Sequence, residues 1–232
     1  MVERRPSQSS RQPCHDRPGD CPARLDTQKK TIRASERDET VRQAFRERIR
    51  QRSADDFVIV DECGSNLNLT PLYARAPRQE RAHGSIPRNT PPTTTLIASM
   101  SMRGMGAALV LSGATDGQAF ETYIEQVLAP TMRPGQILLI DNLSAHKRTR
   151  VEASVAARGC EVWFLPSYSP DLSPIEGAFA KLKNAWRRAA ARTDDALLDA
   201  IAASLPTITR ADARGFFRDC GYQVHGLLAQ SL

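Results

Sequence analysis

Short apolar runs alternate with helix-period stretches over most of the chain. Phe57-Val58-Ile59-Val60 and Ile137-Leu138-Leu139-Ile140 are continuous apolar runs of the kind that form strands buried on both faces. Thr93 to Met100 and Ala107 to Leu111 read as two further strands, separated by the turn signal Arg103-Gly104, and Glu161 to Leu165 reads as a fifth. Between them, Phe120 to Leu128 has the spacing of an amphipathic helix. Pro134-Gly135 then breaks the chain, and Thr149 to Ala157 is helical until Gly159. After the loop Pro166 to Ser173 a long helix is expected, with Ser173 as N-cap, Pro174 in the first turn and Glu176 completing a capping box. Its stripe is Ile175, Phe179, Leu182 and Trp186. Asp195 to Ser204 and a segment opened by Thr209-x-x-Asp212 predict two more helices. The order strand-strand-strand-helix-strand-helix-strand-helix is that of an α/β protein, a mixed sheet flanked by helices.

Upstream of this pattern the chain changes character. Residues 1–28 are rich in Arg, Pro, Ser, Gln and Asp with almost no apolar periodicity, and predict a disordered basic leader. Residues 29–54 predict a charged helical linker, with Ile32, Val41, Phe45 and Ile49 near helical spacing. The domain proper is expected over 55–232. Composition adds one point to this division. The net charge of the 232-residue chain is +6, and the first 52 residues, with 14 Lys and Arg against 8 Asp and Glu, hold all of it. A basic leader on a neutral body points to a polyanionic partner, and the plainer reading is a solvated charged tail.

Some classes are excluded or disfavoured. No apolar run approaches the ~20 residues of a membrane-spanning helix, and the polar start lacks the apolar core of a signal peptide. The expected setting is therefore soluble and intracellular. The five cysteines (Cys14, Cys21, Cys63, Cys160, Cys220) include no CxxC pair, which argues against a disulfide framework or a zinc ribbon.

Two of the buried-type strands run directly into an acid, Val60 into Asp61 and Ile140 into Asp141. Ligands of open α/β sheets gather at strand ends, so these two carboxylates can share a cleft. Glu176 lies one turn into the long helix. Phosphodiester chemistry by two divalent cations roughly 4 Å apart needs hard oxygen ligands of this kind and no His or Cys. Each residue also has a plain structural reading: Asp61 as a strand terminator, Asp141 as a turn opener, Glu176 as a helix cap. Glu62 competes with Asp61, but if the strand continues, the two point to opposite faces, and Asp61 is the candidate.

At VDECGSN (60–66), LLIDNLSAHK (138–147) and FLPSYSPDLSPIE (164–176) the sequence resembles the insertion-sequence transposases of the mariner-like superfamily. The resemblance extends over about residues 27 to 225. It implies a ribonuclease H-like fold carrying an Asp-Asp-Glu triad of Asp61, Asp141 and Glu176, which bind two Mg²⁺ or Mn²⁺ ions. The 34 residues between Asp141 and Glu176 look like the family's last interval. The implied activity is hydrolysis at transposon ends, then strand transfer into target DNA at TA sites, by a homodimer. Asn142 and His146 also match the family pattern, without an assigned role.

Family members typically begin with a helix-turn-helix domain, and the leader here is too short for one. The expectation is a catalytic domain lacking its own end-recognition module. Two other readings follow: a ribonuclease H-like nuclease without strand transfer, and an inactive DNA-binding regulator of transposition. DNA contacts are expected from charge. Lys181, Lys183, Arg187, Arg188 and Arg192 follow Glu176 with no intervening acid, and Arg75, Arg78, Arg81 and Arg88 form a second basic set.

Overall fold

A computed structural model describes residues 34–87, 93–141 and 145–224, with no account of side chains at 145–148. The predicted leader and Ile32 lie outside the described residues.

Five strands form one sheet: β1 (Phe57–Ser65), β2 (Thr94–Ser101), β3 (Gly104–Ser112), β4 (Ile137–Ile140) and β5 (Glu161–Phe164). Their order across the sheet is β3-β2-β1-β4-β5. The first three form an antiparallel meander, and β4 and β5 add in parallel beside β1. This is the mixed α/β architecture expected from the alternation of elements. β4 is apolar at all four positions because it is internal to the sheet and covered on both faces.

Alternation along the strands creates two apolar layers. Phe57, Ile59, Cys63, Leu139 and Trp163 face one side, and Val58, Val60, Ile97, Leu138 and Ile140 face the other. The first layer is covered by α1 (Glu39–Arg50), α4 (Pro174–Ala189), α5 (Asp194–Ser204) and α6 (Arg210–Asp219). The second is covered by α2 (Gly117–Thr122), its continuation, and α3 (Ala145–Ala156). The predicted stripe Ile175, Phe179, Leu182 and Trp186 is buried. Each such side chain contributes about 1.5–3 kcal/mol of burial free energy. The Trp186 indole donates to Ser204 Oγ at 2.8 Å, so its one polar atom is satisfied inside the core.

Several expectations are corrected by packing. The helix within 29–54 is not a linker: Phe45 and Ile49 join the main core, and the compact unit begins at Ala34 rather than near Asp55. Its buried face includes Arg42, fully enclosed, whereas Val41 is 51% exposed. The Arg42 guanidinium reaches Asp171 at 2.6 Å, and this ion pair substitutes for an apolar contact. β1 continues through Asp61 and Glu62 to Ser65, because β2 pairs with it along that stretch. The predicted helix Phe120 to Leu128 begins earlier, at the Asp116 cap, and widens into a π-helical turn over Tyr123–Leu128. That turn buries Tyr123, Ile124 and Leu128 together, and the Tyr123 hydroxyl donates to the Ala107 carbonyl. The expected capping box at Ser173 does not form: its side chain makes no cap bond, and the box is found at Thr209 and Asp212 instead.

Candidate active site

The parallel ladder of β1 with β4 covers Phe57 to Ile59 against Ile137 to Leu139 and goes no further. Beyond it β1 pairs only with β2, while β4 ends at Ile140, and the two chains part. Asp61 sits on β1 just past this point, and Asp141 is the first residue after β4. The gap between parting parallel strands is where α/β sheets form ligand crevices. Strand alternation puts Asp61 on the face shared by Ile59 and Cys63, toward α4, and turns Glu62 to the other face. The register agrees: Asp61 opposes Ala98 of the first core layer, and Glu62 opposes Ile97 of the second.

α4 completes the enclosure. After β5 the Leu165 N–H bonds the Ile140 carbonyl at 2.9 Å, which keeps the outgoing chain against the end of β4. The loop then runs through a 3-10 turn, Pro170–Leu172, into Pro174. It is pinned from two sides. Asp171 pairs with Arg42 of α1, and the Leu172 carbonyl accepts from the Tyr222 hydroxyl at 3.0 Å. Glu176 emerges in the first turn of α4, an exposed residue on the cleft side of a helix whose opposite face is core. Next to it Gly177 is required by close approach, since a Cβ there would lie 2.5 Å from Phe216 Cδ1 of α6.

The result is a cleft of about 380 Å³ lined by Asp61, Asp141, Leu165 to Pro170, Ser173 and Glu176. Asp61 is half-buried at its floor, while Asp141 and Glu176 are exposed at its rim. Burial pushes the Asp61 carboxyl from the usual 3.8 up to about 6, and the charges of Glu176, Asp141 and Glu62 add to the rise. The Glu62 N–H, donating to Asp61 Oδ1 at 2.7 Å, opposes it. Two residues along, burial raises the Cys63 thiol to about 11, against the pull of the Lys183 ammonium that hydrogen-bonds it. Lys183 therefore reaches from α4 to Cys63 on β1.

Among the described residues no three His, Cys, Asp or Glu groups close into a single-ion cage. The carboxylates line an open cleft instead, in which burial, with a smaller contribution from the neighbouring acids, disfavours ionisation of Asp61. An all-oxygen donor set of this kind fits Mg²⁺ or Mn²⁺ and gives nothing for a soft metal.

The other basic residues fare differently. Lys181 is bound to Asp212 at 2.7 Å and to the Thr207 carbonyl at 3.1 Å, which ties α4 to α6 and commits its charge to the fold. Arg192 donates to the Leu67 and Leu69 carbonyls and is likewise structural. Arg187 bonds Asn184, and Arg188 is exposed. Arg75, Arg78 and Arg81 are exposed on a segment without helix or strand. Arg88, Asn142 and the His146 side chain lie outside the described residues. Two features were not read from the sequence: the Arg42–Asp171 pair, for which a lone Arg on an apolar stripe was the only sign, and Tyr168. Tyr168 lines the cleft with φ at 55° and is 57% exposed.

The model of the family described as DDE superfamily endonuclease matches residues 56–198. The chain belongs to this family. The DDE endonuclease fold also appears in solved structures. The Mos1 transposase paired-end complex with left transposon end superposes with a TM-score of 0.68 at 14% identity, covering 86% of this chain and 64% of that one. The Mos1 strand transfer complex gives 0.64 at 15% identity over 85% and 62%. The isolated catalytic domain of Mos1 mariner transposase gives 0.52 at 15% over 78% and 84%. The chain thus spans about 64% of the length of the Mos1 chain in the paired-end complex. At these identities the likeness is one of fold, the ribonuclease H-like sheet with its helices. No curated protein matches the DDE endonuclease chain in sequence. None of its described helices is long and apolar enough to cross a membrane.

Proposed function

We propose that this DDE endonuclease is the catalytic domain of a DNA transposase, with Asp61, Asp141 and Glu176 as its metal-binding triad. The observation that carries the reading is that three acids, far apart in sequence, line one cleft at the parting of β1 and β4. Asp61, Asp141 and Glu176 would hold two Mg²⁺ or Mn²⁺ ions. When bound, these would activate the attacking oxygen and offset charge on the leaving one. The solved Mos1 relatives include paired-end complexes with Mn and with Mg, which supports the choice of metal.

The chain's own residues do the rest. Asp61 lines the cleft with one oxygen held by the Glu62 N–H. The loop from Leu165 to Ser173, pinned by Arg42 and Tyr222, holds Glu176 opposite the two aspartates. Lys183, Arg187 and Arg188 continue along α4 away from Glu176, and with Arg75, Arg78 and Arg81 supply cations for the phosphodiester backbone. The reactions assigned are hydrolysis at transposon ends, then transfer of the freed 3′ hydroxyl into target DNA at TA steps, by a homodimer in the bacterial nucleoid.

The test is nicking of supercoiled plasmid in Mn²⁺ or Mg²⁺ by wild type, Asp61→Asn and Glu176→Gln. Metal-dependent nicking lost in both variants is the expected result. Nicking that persists in either variant would remove that residue from the triad. Cleavage without any joined product would favour a nuclease that lacks strand transfer.

A further inference from the structure

The loop that brings Glu176 to the cleft contains an arrangement that packing does not account for. Tyr168 adopts the left-handed backbone region, which residues other than Gly and Asn seldom enter and which disfavours bulky side chains. The turn around it is rigid: Pro166 and Ser169 are buried, Pro170 fixes the next φ, and the Ser169 hydroxyl donates to the Ser167 carbonyl at 3.1 Å. A glycine at 168 would satisfy this turn without strain. The tyrosine instead carries the strain while the residue stays 57% exposed, so little burial offsets the cost. Strain of this kind at a cleft is a mark of function. The ring stands on the wall shared with Asp61, Asp141 and Glu176.

We infer that Tyr168 is a stacking platform for an unpaired nucleobase of the DNA strand whose phosphate would lie at the cations that the three carboxylates would hold. This rests on the reading of the cleft as a DNA-processing site. An exposed aromatic face accepts any base, so the contact positions the strand without reading its sequence. Inside a continuous duplex each base face is covered by its neighbours, and the subsite therefore selects a frayed or single-stranded end over continuous duplex. Tyr168 is a DNA-contacting residue here and takes no part in proton or metal chemistry.

The test measures binding of a short single-stranded oligonucleotide carrying 2-aminopurine, in Ca²⁺, to the full chain, together with the same oligonucleotide as a blunt duplex. Wild type is expected to quench the fluorescent base and to prefer the single strand. Tyr168→Phe keeps both properties. Tyr168→Asn, which tolerates the left-handed backbone, and Tyr168→Ala both bind the single strand roughly 5- to 100-fold more weakly and lose the quench, with little change for duplex. Melting temperatures of Tyr168→Asn at or above wild type would exclude misfolding as the cause. Equal binding by all variants would overturn the stacking role and leave the cleft assignment intact. Loss in Tyr168→Phe as large as in Tyr168→Ala would replace stacking by a hydroxyl contact and also overturn it. Failure of wild type to bind either DNA would overturn the cleft reading, and the inference with it.

Discussion

Asp61 is the group in which the cleft's electrostatics and the fold's stability meet, and Asp61→Asn separates them. The asparagine keeps the size and the oxygen that accepts the Glu62 N–H, so the hydrogen bond at 2.7 Å survives. What it removes is the charge. Raising a carboxyl from 3.8 to about 6 corresponds to about 3 kcal/mol, at 1.36 kcal/mol for each tenfold change in proton affinity. The sign follows from proton uptake. Between pH 4 and 6 the folded chain binds more protons at Asp61 than the unfolded chain, so wild-type stability falls as pH rises through that window and is then flat. Without metal, Asp61→Asn should match wild type below about pH 4, gain on it through pH 6, and stay ahead above. Near 2–4 °C per kcal/mol for a domain of this size, the gap at pH 8 is roughly 6–12 °C in Tm. Thermal melts in EDTA across this pH range measure it, and added Mg²⁺ should narrow the gap by stabilising wild type alone. A gap that does not change with pH, or a less stable Asp61→Asn at pH 8, would refute the account.

Three further outcomes follow from the geometry. Gly177→Ala should lower stability by about 1 kcal/mol despite alanine's better helix propensity, because the new methyl meets Phe216 at 2.5 Å; urea melts measure this, and a more stable variant would show that the ring swings aside at no cost. Arg42→Met should cost no more than about 1 kcal/mol, because Asp171 is 48% exposed and keeps Arg37 and Arg46 nearby, yet hydrogen exchange should rise in the loop 166–173; exchange unchanged there would mean that Arg42 does not hold the loop. Ser173→Ala should be nearly neutral in chemical melts, whereas Thr209→Ala should cost about 1 kcal/mol, since of these two residues it is Thr209 that caps its helix with its side chain.

The strands were legible because burial on both faces leaves a local mark. Ile137 to Ile140 is apolar at every position, and its bounds as a strand are those of the run itself. The stripe of α4 was legible for the same reason, at a period of 3.6. Helix entry was not. Ser173-x-x-Glu176 and Thr209-x-x-Asp212 carry the same local signal, and only the second becomes a capping box, because the first sits on a loop whose path is set by Arg42, Asp171 and Tyr222 from elsewhere in the chain. The π-helical turn at Tyr123 was equally hidden, since it depends on how the second apolar layer is filled. The same divide runs through the site. Lys181 and Lys183 look alike in sequence, yet one is consumed by Asp212 and the other reaches Cys63 beside Asp61.

By itself the sequence determined the apolar runs of the strands and the α4 stripe, and it offered Asp61, Asp141 and Glu176 as candidates, because apolar period and donor chemistry are properties of neighbouring residues. Tertiary structure alone decided that β1 and β4 part at Ile59 and Leu139, and that Asp61 lies in the floor of the cleft with Asp141 and Glu176 on its rim. It also decided that α1 belongs to the domain. Those outcomes depend on register and on contacts across a hundred residues or more, such as Arg42 to Asp171, 129 positions apart, for which no local window carries a signal.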